Sequence, residues 1–163
     1  MPFESSSARL WKTLARAERE AAARAFWQRP PREAAAAAAR EVVDLLRVRP
    51  QAFAKVPVAV RVRALAGLAN PSEAVAEALL VALHVDERRQ LLADFLDALG
   101  IAHEEGLIAE DAEPATPSLE AVRASAAALV ARHTAPAVRV YWNVLWLQDR
   151  ERWAALEPVA DEI

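Results

Sequence analysis

The chain has 163 residues, 18 Arg against 2 Lys, 23 acidic residues, three His, no Cys and a formal charge of −3, which excludes disulfides, thiolate zinc sites and cysteine nucleophiles. Of the 163 residues 40 are Ala and only 3 are Gly. That composition favours helix over every other state and leaves the 10 Pro and side-chain caps to punctuate it. Hairpin signals such as Asn-Gly or Asp-Gly are missing, so no sheet is expected.

The first helix is expected to start from the Ser5–Ser7 hydroxyls and run to about Gln28, where Pro30-Pro31 stops it. A second opens at Pro31, passes through Ala34–Ala39 to Leu46 and ends before Pro50. After a short turn at 51–55, a third carries Val58 to Ala69, with Gly67 expected to mark a close helix contact. Asn70-Pro71-Ser72-Glu73 reads as the best helix start in the chain, with a capping side chain, a first-position Pro and an acid in the first turn. That fourth helix should reach His84.

Asp86 is then expected to cap a fifth helix that buries Leu91, Leu92, Phe95, Leu96 and Leu99 and ends at Gly100 in the left-handed conformation, with Ile101 closing the cap. Residues 103–118 are acidic and contain Pro114 and Pro117, which predicts a surface connection with one helical turn around Gly106 to Ala109. Thr116 or Ser118 restarts a helix through Val122 and Leu129, and Thr134-Ala135-Pro136 starts another through Trp146. Trp153 falls on a last short turn. The expectation is an all-α, single-domain helical bundle, or a short stack of helical hairpins, with about seven helices and an acidic Pro-containing connection at about 103–118.

Charge is segregated along the chain. Residues 8–70 hold 13 Arg plus Lys against 5 acids, whereas 71–118 hold 2 against 11. A pI near 5.7, no zinc-finger spacing and no clustered basic stripe argue against nucleic acid as a partner. On the acidic side, Asp94 and Asp97 sit in the last turns of a helix, where the macrodipole disfavours negative charge. Just beyond come His103, Glu104 and Glu105, then Glu110, Asp111 and Glu113. Asp94, Asp97, His103, Glu104 and Glu105 are therefore the candidate cation-binding set, and a metal-assisted hydrolase is the alternative reading; a solvated acidic face is the simpler one.

The last long helix carries large apolar groups at nearly every angle: Val138, Val140, Tyr141, Trp142, Val144, Leu145, Trp146 and Leu147. Such a helix lies in a core, or buries one face and offers another to a partner. Tyr141, Trp142, Trp146 and Trp153, with Arg139, Arg150 and Arg152 nearby, are the candidate partner-binding residues, being of types enriched in interface hot spots.

No His has another His at three to five residues, no Glu precedes a His by three, and there is no Gly-rich phosphate loop and no Gly-x-Ser-x-Gly elbow. His84 near an apolar helix end reads as a helix C-terminal cation or a satisfied buried group, His133 as a dipole-stabilised cation, and His103, with its acidic neighbours, is the one candidate general acid or base. The function expected from these residues is a non-enzymatic helical protein-interaction or scaffold domain, meeting a protein partner or a second copy of itself, with no cofactor. No apolar run spans a bilayer, the start carries no export pattern, and a cytoplasmic, bacterial protein is the compositional expectation.

Overall fold

The structure, a computed structural model, describes residues 2–109 and 115–163. It is all-α, with 69% of residues helical. The chain folds into two compact units: residues 6–87, and residues 88–163 together with the first five.

The 6–87 unit begins with α1 (Ser7–Thr13), capped by the Ser6 hydroxyl accepting from the Arg9 N–H. The expected single first helix is two: the chain leaves helical geometry at Leu14 and Ala15 and re-enters as α2 (Arg16–Gln28). Neither Pro nor Gly causes the break. The Glu18 carboxylate accepts from the Ala15 N–H, and the Thr13 hydroxyl bonds back to the Leu10 carbonyl, so both new ends are satisfied locally. α3 (Arg32–Leu46) follows Pro31 and ends at Arg47, itself in the left-handed region at φ 53°.

A 3₁₀ segment, Pro50–Lys55, leads to α4 (Val58–Ala66). Arg61 fastens this segment by donating to the Val56 and Ala54 carbonyls while its guanidinium lies 4.5 Å from the centre of the Phe53 ring, which in turn meets Trp27. Gly67 does not mark a helix contact: a Cβ there would meet only the Arg63 and Ala64 carbonyls of α4's own last turn.

α5 (Glu73–Ala82) starts later than the Asn70-Pro71 signal implied, with Ser72 at the N-cap. Its first turn is closed from a distance, by the Glu41 carboxylate accepting from the N–H and hydroxyl of Ser72. Asp86 caps nothing. The helix runs on as a π turn, Leu83–Glu87, and Asp86 pairs with Arg29 at 2.9 Å. Within the turn His84 is buried and its Nδ1 donates to the Leu80 carbonyl, which places it in the core, the second of the two readings its position allowed. The unit's core is thin-walled: Ala22, Ala23, Ala25, Ala38, Ala64, Ala66 and Ala76 let the helices approach closely around Trp11, Phe26, Leu65 and Leu79.

In the other unit, α6 (Arg89–Leu99) ends as expected: Gly100 sits at φ 67° and the Ile101 N–H reaches the Leu96 carbonyl. The chain then makes a tight two-stranded turn instead of a helical one, with Glu104 and Leu107 exchanging backbone hydrogen bonds across Glu105 (φ 49°) and Gly106 (φ 86°). Gly106 is the true close approach. A Cβ there would lie 2.7 Å from the Leu92 Cβ on α6, so only Gly lets the turn lie down on that helix.

α7 (Leu119–Arg132) is capped by Ser118 and α8 (Ala135–Gln148) by Thr134 with Pro136 in its first turn, both as the sequence indicates. α9 (Leu156–Ala160) packs on α7 and α8. No described helix is long and apolar enough to cross a membrane.

Candidate functional site

The two sets of residues singled out by sequence both fall in the 88–163 unit. Of the aromatic set, Tyr141, Trp142 and Trp153 are buried and surround Phe95, with ring centroids 5.7, 5.7 and 6.0 Å from it. They are core, not surface, and thus offer a partner no contact area. Burial pushes the Tyr141 phenol well above its ordinary pKa, as expected for a phenol shut away from water. The Trp142 Nε1 has no hydrogen-bond partner among the described residues. Trp146 alone of the four keeps partial exposure, with Phe3 against one side of its ring and the Arg150 guanidinium 4.4 Å from its centre.

The acidic set is dispersed into pairs. The Asp94 side chain, only 9% exposed, receives Gln90, Arg132 and the Nε2 of His133 at 2.8 Å. Burial works against its ionisation, but the hydrogen bonds from Gln90 and His133 and the charge of Arg132 outweigh it and hold the carboxyl below the ordinary value. Asp97 pairs with His103 at 3.1 Å, and Glu105 with Arg89. The Gly106 N–H donates to the His103 Nδ1, so this nitrogen carries no proton and it is the Nε2–H that faces Asp97. His103 is a bracket that fixes the 104–107 turn to α6. Glu104 contributes its backbone to that turn and its side chain is exposed.

Among the described residues no three acidic or histidine side chains gather as a metal site would require. Asp94, Asp97, His103, Glu104 and Glu105 therefore do not form the single cation cage that their sequence proximity suggested. Glu110, Asp111 and Glu113 lie outside the described residues. His133, which sequence spacing treated as a helix-end cation, is the partner sequence reasoning missed; it closes α7 39 residues away from Asp94. Asp94, Asp97 and Ala98 of α6 face Ala128, Leu129 and Arg132 of α7 across an open groove of about 260 Å³. Its lining combines the apolar Ala98, Ala128 and Leu129 with the charged Asp94, Asp97 and Arg132.

The basic half behaves differently. From Leu45 to Ser72 the chain has five cations and no acid. Arg61 is used internally, but Arg47, Arg49, Lys55 and Arg63 are exposed and make no ion pair among the described residues. The two most exposed large aliphatics described, Val58 at 60% and Leu45 at 49%, lie in this same stretch, at the start of α4 and the end of α3. α3 packs against both the 3₁₀ segment and α4, so the stretch folds as one cluster.

No protein-family model matches the chain, and no match was found among curated proteins or solved structures.

Proposed function

We infer that the chain is a non-enzymatic helical interaction domain whose α3–α4 basic stretch engages an acidic, amphipathic segment of a protein partner. One observation carries this reading: Arg47, Arg49, Lys55 and Arg63 are exposed without ion-pair partners among the described residues, in the same stretch of chain as the exposed Leu45 and Val58. A surface carrying one sign of charge raises the encounter rate with the opposite sign, and burying the exposed half of each of two aliphatics adds about 1 kcal/mol each before association costs. Phosphate-rich partners would use the cations and leave the aliphatics in water, since nucleic-acid interfaces are strongly polar. The overall acidity of the chain also opposes them. A cytoplasmic setting fits a chain without Cys.

The test is fluorescence anisotropy of a labelled amphipathic helical peptide of Glu and Leu, at low and high salt, against the wild-type chain and an Arg47→Glu/Arg49→Glu variant. The expected result is salt-sensitive binding weakened at least about tenfold by the double change. Equal binding by the variant, or a preference for a DNA duplex of matched charge, removes the reading.

A further inference from the structure

The α3–α4 stretch has a complement elsewhere in the chain. From Leu45 to Ser72 there are five cations and no acid, whereas from Gln90 to Ala109 there are four acids, Asp94, Asp97, Glu104 and Glu105, and neither Arg nor Lys. The exposed aliphatics divide in the same way: Leu45 and Val58 lie in the first stretch, and Leu107, 46% exposed, lies in the second. The 104–107 turn gathers both features. Glu104 and Leu107 exchange backbone hydrogen bonds and stand opposite each other, so their side chains leave the same face of the turn. Both are exposed, and the Glu104 carboxylate has no ion-pair partner among the described residues. The turn is also held rigid: Gly106 lies against α6, its N–H donates to His103, His103 reaches Asp97, and Glu105 pairs with Arg89. A preformed knob of this kind loses little conformational freedom on docking.

We propose that the partner of the α3–α4 stretch is a second copy of this chain, which docks there through its 104–107 turn. The proposal rests on the α3–α4 stretch being an interaction surface and names what covers it. Charge complementarity selects the occupant: Glu104 of one copy meets the exposed cations of the next, and Leu107 comes to rest on its exposed aliphatics. A net charge of only −3 leaves little overall repulsion between copies. The contact joins unlike surfaces, so it closes into a dimer when it forms reciprocally and grows into open chains when it does not. One turn on one stretch is a small interface, which places the association among weak, transient ones and makes it stronger as salt is lowered.

The test is light scattering on a sizing column, with the full-length chain at rising concentration and at low and high salt. The wild type should rise in mass above the 17.8 kDa monomer as concentration increases and fall back at high salt. Two variants each remove one side of the contact: Arg47→Glu/Arg49→Glu the docking stretch, and Glu104→Lys/Leu107→Ser the knob. Each alone should self-associate at least about tenfold more weakly than wild type. An equimolar mixture of the two should form a 1:1 complex, because one supplies an intact knob and the other an intact stretch. Circular dichroism checks that both keep their helix content, and Glu104→Lys alone, at an exposed side chain, takes the place of the double change if Leu107→Ser unfolds the chain.

A chain that stays monomeric at every concentration and salt overturns the proposal. If the labelled peptide of Glu and Leu still binds such a chain, the α3–α4 stretch remains an interaction surface and its partner is a foreign protein; if the peptide does not bind either, the surface itself is lost. Association that the knob variant leaves intact, or two variants that fail to complement each other on mixing, overturns the second copy as well.

Discussion

The two units solve the same packing problem with opposite materials. Residues 6–87 are built from Ala-rich helices that bury little area each, and their helix ends are tied by carboxylates from far along the chain: Glu73 accepts from the Ser7 and Ala8 N–H groups of α1, and Glu41 from Ser72 before α5. Residues 88–163 have a heavier filling, with Phe95 at the centre of Tyr141, Trp142 and Trp153. Long-range carboxylate ties at helix starts stand out in the first unit and the ring cluster around Phe95 in the second.

The largest effect should come from the aromatic centre. Phe95 is fully buried and touches three rings, so Phe95→Ala leaves a cavity that the neighbouring large side chains cannot collapse into. Chemical denaturation should show a loss of about 3–5 kcal/mol for the transition that includes this unit. Hydrogen exchange sharpens the contrast: protection should fall across α6, α7 and α8 while α2 and α4 retain theirs. Equal loss in α2 and α4 would mean that the two packing schemes are not energetically separate.

Removing a tie should cost less. Glu73→Ala strands the Ser7 and Ala8 N–H groups and should destabilise by about 1–2 kcal/mol, as loss of a helix N-cap does. Glu73→Gln, which keeps an acceptor oxygen, should recover part of that. Burial opposes ionisation of Glu73, but the two N–H groups prevail and hold its carboxyl below the ordinary range. If Glu73→Gln proves as costly as Glu73→Ala, charge rather than hydrogen bonding supplies the tie.

These ties also show where the sequence stops being informative. Helix ends made by neighbouring residues were legible: Ser118, Thr134-Pro136 and the Gly100–Ile101 cap fall where local chemistry puts them. Ends made by distant residues were not. The α1–α2 break has no Pro or Gly, Glu73 reaches a helix start 66 positions away, and Asp86, suited locally to capping, is drawn to Arg29 instead. For the candidate sites, side-chain type gave the aromatic density but not its burial, and the acidic run but not its division into pairs with His133, His103 and Arg89. The contact between Glu4 and α8 had one available signal, a lone Asn143 in an otherwise apolar stretch of that helix. A polar amide there must find partners, although nothing local names Glu4 as the one.

The smallest effect separates a structural from a functional role for the α6–α7 charges. The Asp94 carboxyl is depressed, so its contribution to stability is present once pH exceeds the unfolded-state value and disappears as pH falls through the lower folded-state value. Asp94→Asn keeps the shape and can still accept from Gln90 or His133. It should therefore cost only about 1 kcal/mol near neutral pH. In acid, where the wild-type carboxyl is itself protonated, the two proteins should melt together. Urea titrations across that range measure the gap directly. Convergence makes Asp94 a member of the aromatic unit held as the 6–87 unit holds its helix ends, by an ionised carboxylate at a helix terminus, here the C-terminal end of α7 through His133. A gap that stays constant with pH would instead assign its worth to packing against Leu129 and Ala128 along the groove.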